Sequence, residues 1–442
     1  MTPSLSSVPS DLVFPGVVDV VVIGGGIAGV AAAWQLALRG TKVALIEKGV
    51  IAGEQSCRNW GWCRQQNRDE RELPLSILSL QMWEDLAHQA GGDVGFRRSG
   101  LVYASSRESD LAGWEAWGRM AKGYGVDTRM CSARDLKNLL PGNIGQWIGG
   151  VHSPTDGRAE PALATPVLAE AARQAGAVLF QHCAAREIEF SAGRVSAVVT
   201  EKGTVQCQCV LVAGGAWSGM FLRHHGVDIF QASIQSTSFA TQVAPEIISG
   251  GVSMPDLAIR RRTDGRYTVG LSGFAVLHLS PMGLRQWRPF LPTFIERWRK
   301  MSYTVGTSFF NGPDAHCTWK ADGLSPFEKT RILNPKSDQR SIKRGLQRLA
   351  KVYPDLRGVG VDHEWGGMVD YTPDAIPVIG PVASKPGLFI STGYSAHGFG
   401  IGPAAGKLAA DLITGSPPCV DPTPFRYERM IDGTDLGSVG MI

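Results

Sequence analysis

The sequence predicts an α/β fold built on a parallel sheet, and three observations carry that expectation. An apolar strand, Val20-Val21-Val22-Ile23, runs straight into Gly24-Gly25-Gly26-Ile27-Ala28-Gly29, whose glycines follow the spacing G-x-G-x-x-G. A helix-forming stretch and a second apolar strand follow, ended by an acid, Glu47. Far along the chain, Val210-Leu211-Val212-Ala213-Gly214-Gly215 is again an apolar strand ending in glycines, which suggests a discontinuous domain assembled from separated segments.

Each early element has a physical task. Gly24 permits the tight turn off the strand, Gly26 lets the backbone approach a pyrophosphate, and Gly29 lets the next helix pack on the sheet. That helix is expected over 27–38, with Ala31, Ala32, Ala33 and Leu36 as helix formers, and it ends at Gly40. Its N-terminus faces the phosphates. The second strand covers 42–46, and Glu47 stands where an acid receives a ribose 2′-hydroxyl. Such an acid disfavours a 2′-phosphate, so the Rossmann-like unit is expected to take FAD or NAD over NADP.

Later elements are less uniform. Residues 161–174 read as a helix with Pro161 in its first turn, 178–180 as a short strand, and 194–200 with 205–212 as a hairpin around Glu201-Lys202-Gly203. Residues 101–140 mix a strand with helical stretches, and 258–270 carry a hairpin turning at Asp264-Gly265. A helix is expected at 284–301, where Trp287, Phe290, Phe294 and Trp298 stand beside Arg285, Arg288, Arg297 and Arg299. It is expected to cover the sheet of a second domain, with a membrane-surface helix as the alternative that Pro289 and Pro292 count against.

Composition removes several classes of function. A chain of 442 residues with 43% apolar residues is long enough for two or more substructures that share cores. There is no run of 18 or more apolar residues, so no spanning helix and no membrane association are expected. Residues 1–14 lack the basic start and apolar core of a signal peptide, which makes the cytoplasm the expected location. The eight cysteines show no C-x-x-C spacing and are read as free thiols, with no metal site. A net charge of +4, with no basic block beyond Arg260-Arg261-Arg262, argues against nucleic acid as a partner.

The motifs together resemble a known family. With the opening strand, Ser56-Cys57-Arg58-Asn59-Trp60-Gly61-Trp62-Cys63-Arg64, Ala213-Gly214-Gly215-Ala216-Trp217-Ser218, Trp365-Gly366-Gly367, Thr372-Pro373-Asp374 and Gly393-Tyr394-Ser395-Ala396-His397-Gly398 resemble the D-amino-acid-oxidase-like family of FAD-dependent amine oxidoreductases. The resemblance covers roughly 18–415 and implies a discontinuous Rossmann-like FAD-binding domain (18–95, 150–225 and 360–415). It also implies an α+β substrate domain (96–149 and 226–359) with a large antiparallel sheet roofing the flavin, and leaves 1–17 and 416–442 as tails.

The same resemblance implies the site residues. Cofactor contacts are expected at Gly24, Gly26, Ile27, Ala28, Gly29, Glu47, Lys48, Ser56, Asn59, Gly61, Trp62, Ala185, Gly214, Trp217, Gly366, Gly393, His397, Gly398, Phe399 and Gly400. Arg64 is the expected positive charge beside the ring, while Tyr394 and His397 line the pocket or bond the flavin. A helix N-terminus after Gly398, with Pro403 in its first turn, would stabilise negative charge on the reduced ring. Asp374 fits a strand-closing turn equally well. Trp60 and Trp62 fit either an aromatic wall or core packing.

Two positions depart from the family. Sarcosine-oxidase-like relatives bond the flavin through a cysteine where this chain has Gly367, so the FAD is expected to be non-covalent and released on denaturation. Glycine-oxidase-like relatives hold the substrate carboxylate with an arginine where this chain has Val369. Another cation must then do so, since a guanidinium gives a carboxylate two parallel bonds. Arg64 is the first candidate, followed by Arg261 and Lys320.

The implied reaction is oxidation of the C–N bond of an amino acid or N-substituted amino acid, with hydride passing to flavin N5 and the imine hydrolysing afterwards. Oxygen or an electron carrier is the acceptor, and the oligomeric state is left open. Two alternatives stand beside it: a 2-hydroxy-acid oxidoreductase with His397 as base, and a flavin-bearing subunit of a larger dehydrogenase.

Overall fold

Alternation along the first strand sets the architecture. The structure, a computed structural model, describes residues 3–306 and 308–436. Val20 and Val22 of the strand Val20–Ile23 join one core with Leu36, Leu45 and Leu211. Val21 joins another with Ala44, Ile46, Val210 and Val212. Successive strand side chains point to opposite faces, so a strand apolar at every position suits a sheet buried on both.

That sheet has six strands, in the order Val378–Pro381, Leu388–Thr392, Cys209–Val212, Val20–Ile23, Val43–Ile46 and Val178–Phe180. All pairings are parallel except that of the outermost Val378–Pro381, which is antiparallel to its neighbour. The sheet is therefore assembled from early, middle and late chain, as the recurrence of apolar strands suggested.

Helices Ile27–Ala37, Leu73–Gln89, Pro161–Gln174 and Gly398–Thr414 cover one face. Where the first and last of these meet, a Cβ at Gly406 would stand 2.5 Å from the Ala31 Cβ, so glycine sets how closely they approach. The last helix starts at Gly398, which places Pro403 inside it and not in its first turn. The turn this proline weakens is held from outside, because the Gly400 carbonyl accepts Ser79 Oγ (2.8 Å) and Trp83 Nε1 (2.9 Å).

The other face carries the antiparallel strands Ala185–Ser191, Arg194–Thr200 and Gly203–Gln206. This arrangement corrects the reading of 194–212 as one hairpin. The hairpin ends at Gln206, and Cys209–Val212 leaves it to pair with Val20–Ile23. Gly203–Gln206 is exposed at all but Val205, whereas Val210, Leu211 and Val212 are apolar on both faces and belong in the central sheet.

A ten-stranded sheet forms the second layer, antiparallel throughout except where Gly251–Met254 meets Leu101–Ser105 and Ala275–His278 meets Met301–Thr304. The hairpin at Asp264-Gly265 lies within it, joining Leu257–Arg261 to Tyr267–Gly270. Its longest strand, Val361–Tyr371, pairs with Ala232–Thr241 and continues into the chain that supplies the central sheet.

The helix that covers this sheet is Gln339–Val352, through buried Ile342, Gly345 and Leu349. The one expected at 284–301 does not. There the chain forms Pro281–Arg285, Trp287–Arg297 and a 3-10 turn, Trp298–Lys300, and no residue of Trp287–Arg297 is buried. The side it turns to the body carries Phe290, Thr293 and Arg297, too polar a set for a core.

Both flanking segments are docked. Asp11 exchanges backbone and carboxylate bonds with Leu179 and pairs with Arg173 at 2.9 Å. Phe425, Tyr427, Arg429 and Met430 are buried, and Arg429 pairs with Asp374 at 3.3 Å.

Candidate functional site

A long cleft opens where the carboxyl ends of Val20–Ile23, Val43–Ile46 and Cys209–Val212 meet the start of Gly398–Thr414. It holds about 1280 Å³ of empty space, mouth included. Its lining runs from the glycine loop past Glu47 to Tyr394 and Phe399, an elongated shape that suits an extended dinucleotide.

Backbone geometry explains the glycines at its floor. Gly24 has φ +115°, and a Cβ there would lie 2.4 Å from the Ala213 carbonyl oxygen. A Cβ at Gly29 would lie 2.1 Å from the Gly24 carbonyl oxygen. The helix Ile27–Ala37 has no side-chain cap of its own at Gly26, and Ser56, in the short helix Gln55–Arg58, supplies one by accepting the Ile27 N–H at 2.9 Å. The Ser56 hydroxyl keeps its proton to donate to an anion at that helix end.

Glu47 grips the glycine loop. Its Oε2 accepts the Gly25 N–H (2.7 Å) and its Oε1 the Gly49 N–H (2.6 Å). Burial pushes its pKa up, against the pull of Lys48 and of these two N–H groups. Each carboxylate oxygen retains a lone pair for a hydroxyl.

Beside it, Glu54 joins three segments. It accepts Lys48 Nζ (2.7 Å), the Trp217 indole N–H (3.2 Å) and the Leu333 N–H (3.0 Å), while Lys48 Nζ lies 4.6 Å from the Trp217 ring centroid. Arg58, buried, holds the same region together by donating to the carbonyls of Gly53, Leu333 and Gly366.

The far wall is strained. Ser395 (φ +49°) and Ala396 (φ +70°) are consecutive non-glycine residues in the left-handed region, each at a cost of about 1–3 kcal/mol. Asp370 over-determines this loop: its carboxylate accepts the Gly393 N–H (2.8 Å) and Gln231 Nε2 (3.1 Å), and its carbonyl accepts the Ser395 N–H (2.8 Å). Tyr394 lines the cleft with its hydroxyl 2.6 Å from Ser391 Oγ, and burial raises its pKa, so it remains a neutral phenol.

The donor set fits FAD. Besides the glycine loop, the Ser56-capped helix and Glu47, two buried polar atoms at the cleft, Gln55 Oε1 and Ser218 Oγ, have no partner among the described residues. A family model described as FAD dependent oxidoreductase matches residues 19–412.

The chain belongs to the FAD-dependent oxidoreductase family.

FAD is thus the cofactor of this flavoprotein, and the flavoprotein is an oxidoreductase. Its fold is similar to that of L-amino acid deaminase from Proteus myxofaciens in complex with anthranilate, with a TM-score of 0.93, 31% identity and 97% of each chain covered. It is also similar to glycine oxidase of Geobacillus kaustophilus, 23% identical over 96% of this chain and 98% of that protein. Mitochondrial sarcosine dehydrogenase of Mus musculus is 25% identical over 94% of this chain. The flavoprotein spans only 42% of the length of that relative.

Of the residues expected at the flavoprotein's site, Gly24, Gly26, Ile27, Ala28, Glu47 and Lys48 line the cleft. So do Ser56, Asn59, Ala185, Gly214, Trp217, Tyr394, Gly398 and Phe399. Asn59 spends its side chain on the loop itself, donating to Ser56 O (2.8 Å) and accepting from Gly61 N–H (2.8 Å).

Gly29, Gly61, Trp62, Gly366, Gly393, His397 and Gly400 stand behind the lining. Gly61 (φ +77°) packs on the Ala159 carbonyl, and Gly366 on that of Pro335. Trp60 and Trp62 rest on the large sheet at Gly270 and Gly251, where a Cβ would lie 2.4 Å and 2.9 Å from their rings, so they are packing residues and neither lines the cleft.

His397 turns away from the cleft. Its Nδ1 meets buried Glu72 at 2.9 Å. Burial, then the neighbouring Arg68, lowers its pKa to about 4, so the neutral imidazole donates from Nδ1. Burial alone would raise the pKa of Glu72, but His397 and Arg68 hold it down.

The three candidate cations differ in their surroundings. Arg261 donates to the Ala244 carbonyl (2.9 Å) and lies over the Tyr267 ring, and Lys320 is exposed; neither lines the cleft. Arg64 also stands outside the lining, but it donates to the Gln66 carbonyl and has no carboxylate partner among the described residues. Its backbone lies beside Gly400, where a Cβ would be 3.7 Å from the Arg64 nitrogen, one turn into the helix whose first residues line the cleft. Asp370, Gln55 and Glu54 were not singled out from the sequence, although Gln55 directly precedes the motif at Ser56, and Ser218 stood there only as the last residue of the motif Ala213–Ser218.

Proposed function

We propose that this flavoprotein oxidises the C–N bond of an amino acid or an N-substituted amino acid, yielding an imine that water converts to a carbonyl compound and an amine or ammonia. Arg64 carries the reading: among the candidate cations it is the half-buried guanidinium beside the helix that enters the cleft, within electrostatic reach of buried Glu72 and Asp156 but ion-paired to neither. The similar proteins, an L-amino acid deaminase, a glycine oxidase and a sarcosine dehydrogenase, support an amino-acid substrate.

When bound, FAD supplies the two-electron acceptor for the hydride that leaves the α-carbon. The chain's own residues do the rest. The Ser56-capped helix and the Glu47 loop hold the cofactor, and Arg64 anchors the carboxylate by two parallel bonds. Its charge also lowers the pKa of a neighbouring ammonium, enlarging the neutral fraction that can react. The N-terminus of Gly398–Thr414 brings partial positive charge to the cleft, favouring added negative charge there.

Residues 18–95, 150–225 and 360–415 are assigned to the FAD-binding domain and 96–149 with 226–359 to the substrate domain, the strand Val361–Tyr371 crossing between them. The cofactor is held without a covalent bond at 367, where any side chain would meet Gln55 Oε1 at 2.4 Å. Oxygen or an electron carrier reoxidises it. His397 is tied to Glu72 behind the lining, so nothing in its placement favours the 2-hydroxy-acid reading.

Anaerobic bleaching of the flavin absorbance by amino acids, N-alkyl amino acids and 2-hydroxy acids tests the reading. Bleaching is expected with the first two groups, and bleaching by hydroxy acids alone overturns it. Arg64→Ala should keep its FAD and lose about 10- to 100-fold in kcat/KM, the worth of one or two charge-assisted bonds. Unchanged kinetics would remove Arg64 from the site.

A further inference from the structure

Beyond the strand Met301–Thr304 the chain leaves the large sheet, and before it returns in the helix Gln339–Val352 its residues 319–333 are fastened to the walls of the FAD cleft. Arg186 grips Glu328 with two bonds, at 2.6 and 3.1 Å, and Arg331 grips Glu201 with two more. Lys48 Nζ donates to the carbonyls of Thr330 and Arg331, each at 2.9 Å, and Arg331 returns a bond to the Lys48 carbonyl at 3.1 Å. At the leading end the Trp319 indole donates to the Arg186 carbonyl at 2.8 Å. At the trailing end Glu54 and Arg58 hold the backbone of Leu333. Every one of these ties joins two groups of the chain itself, and none needs a cofactor atom.

The anchor points straddle one end of the cleft. Lys48 follows Glu47 and Arg186 follows Ala185, and both Glu47 and Ala185 belong to the lining. Glu47 is the acid placed for the ribose hydroxyl, so this is the adenosine end. Among the described residues, Phe327 is the one member of the lining that comes from 226–359. The short helix Pro326–Lys329 presents it, 4% exposed, with its ring centroid 5.7 Å from that of Phe221 and 5.8 Å from that of Trp217. An aromatic side chain at this end suits the flat face of a purine.

Ionic ties of this kind part readily. Arg186 and Arg331 are 19% and 33% exposed, so water and salt reach both pairs. Within the segment only Phe327, Trp319 and Leu333 add apolar contact with the adjoining core, so its opening costs less than unfolding the domain. We propose that residues 319–333 form a strap over the adenosine end of the FAD site, that Phe327 closes on the adenine, and that parting of the Arg186–Glu328 and Arg331–Glu201 pairs gates the entry and exit of FAD. Such a gate serves the cofactor and is indifferent to which amine is oxidised.

The test uses the full chain with FAD bound and follows release of FAD into dilute buffer by the rise in flavin fluorescence. Release should quicken about tenfold in Arg186→Gln and in Arg331→Gln, and about a hundredfold in the double variant. Recombination of the apoprotein with FAD should quicken too, because the strap must open before FAD enters, so Kd rises less than the release rate. Raising salt from about 0.05 to 1 M should quicken both rates in the parent and leave the double variant unmoved. Arg98→Gln, which removes the pair with Glu84 at 2.6 Å away from the cleft, should keep the parent's rates and salt response. With FAD in excess, kcat of the variants should match the parent. Release unchanged in both single variants overturns the proposal. So does faster release with unchanged or slower recombination, which would make the pairs a fixed part of the wall. Should circular dichroism show that the double variant fails to fold, the parent decides: release and recombination that both ignore salt overturn the gate.

Discussion

Glu47→Gln separates the two tasks of one buried carboxylate. The side chain accepts the N–H of Gly25 and of Gly49 on different oxygens. A glutamine has one oxygen, so one of these N–H groups would face an amide NH₂, and an unpaired buried donor costs about 1–3 kcal/mol. The lost charge returns some of this, because burial already raises the Glu47 pKa. An acid whose folded pKa is raised loses stability as pH climbs through that value, and glutamine has no such loss. The net cost to the apoprotein near neutral pH is then about 1–2 kcal/mol, measurable as a lower urea midpoint. FAD loses a charged acceptor for its ribose as well, so its Kd should rise by about tenfold or more. Fluorescence titration of the apoprotein with FAD reads the second effect. If FAD binds Glu47→Gln as tightly as the parent while the urea midpoint falls, Glu47 holds only the loop; if neither changes, the reasoning fails altogether.

Other perturbations test the frame around the cleft. His397, at about 4 in the fold against 6.5, binds its proton less readily than in the unfolded chain. Its contribution is therefore present above pH 6.5 and lost as pH falls toward 4, by about 3 kcal/mol, and His397→Gln should flatten that stretch of a urea-midpoint profile. Asp156, raised to about 6 by burial, works in the opposite sense, so Asp156→Asn should steepen the acid loss. Arg429→Ala strips buried Asp374 of a partner and leaves the Ile376 carbonyl with Thr372 Oγ1 as its remaining donor, costing about 3 kcal/mol by denaturation; a cost under about 1 kcal/mol would mean the C-terminal segment is only appended. Gly406→Ala brings a Cβ within 2.6 Å of the Ala31 backbone and must push apart the helices Ile27–Ala37 and Gly398–Thr414, both of which start at the cleft. A loss of about 1–3 kcal/mol together with weaker FAD retention is expected, and stability lost without FAD would confine the effect to packing.

What was legible in the sequence is what local chemistry dictates. The glycine turn, the strands on either side of it and Glu47 could be placed because each role depends on neighbours within about one βαβ unit. Residues whose roles depend on distant chain were not legible. Glu54 matters because Leu333, 279 positions away, comes to it, and Asp370 because it reaches the strained loop at Gly393 and Ser395. Arginines show the same limit: sequence offers many, and only the fold reveals that Arg58 is occupied by three carbonyls, Arg260 by Glu160 and Arg261 by Ala244 far from the cleft, while Arg64, bonded to the Gln66 carbonyl, stands beside the helix that enters it. The two amphipathic helices differ in a subtler way. Gln339–Val352 and Trp287–Arg297 both mix arginines with apolar residues, and what decides which one covers the sheet is whether the side turned inward carries Ile342 and Leu349 or Thr293 and Arg297.

The departures at 367 and 369 follow from one strand's alternation. Val361–Tyr371 runs from the large sheet into the cleft, and a Cβ at 367 would strike Gln55 Oε1 while Val369 is a buried member of the cofactor wall. A thiol at the first position would have to displace the Gln55 side chain. A guanidinium at the second would bring a buried charge into that wall, where it would compete with the Gly393 loop for the neighbouring Asp370 carboxylate. With this strand committed to holding the loop, a carboxylate anchor has to come from the opposite side, where the segment from Ser56 to Arg64 caps the first helix and ends beside the last one. An arginine restored at 369 should accordingly weaken FAD retention before it improves any substrate's KM, and a Val369→Arg variant that keeps its flavin and binds amino acids more tightly would show that the strand is free to do both.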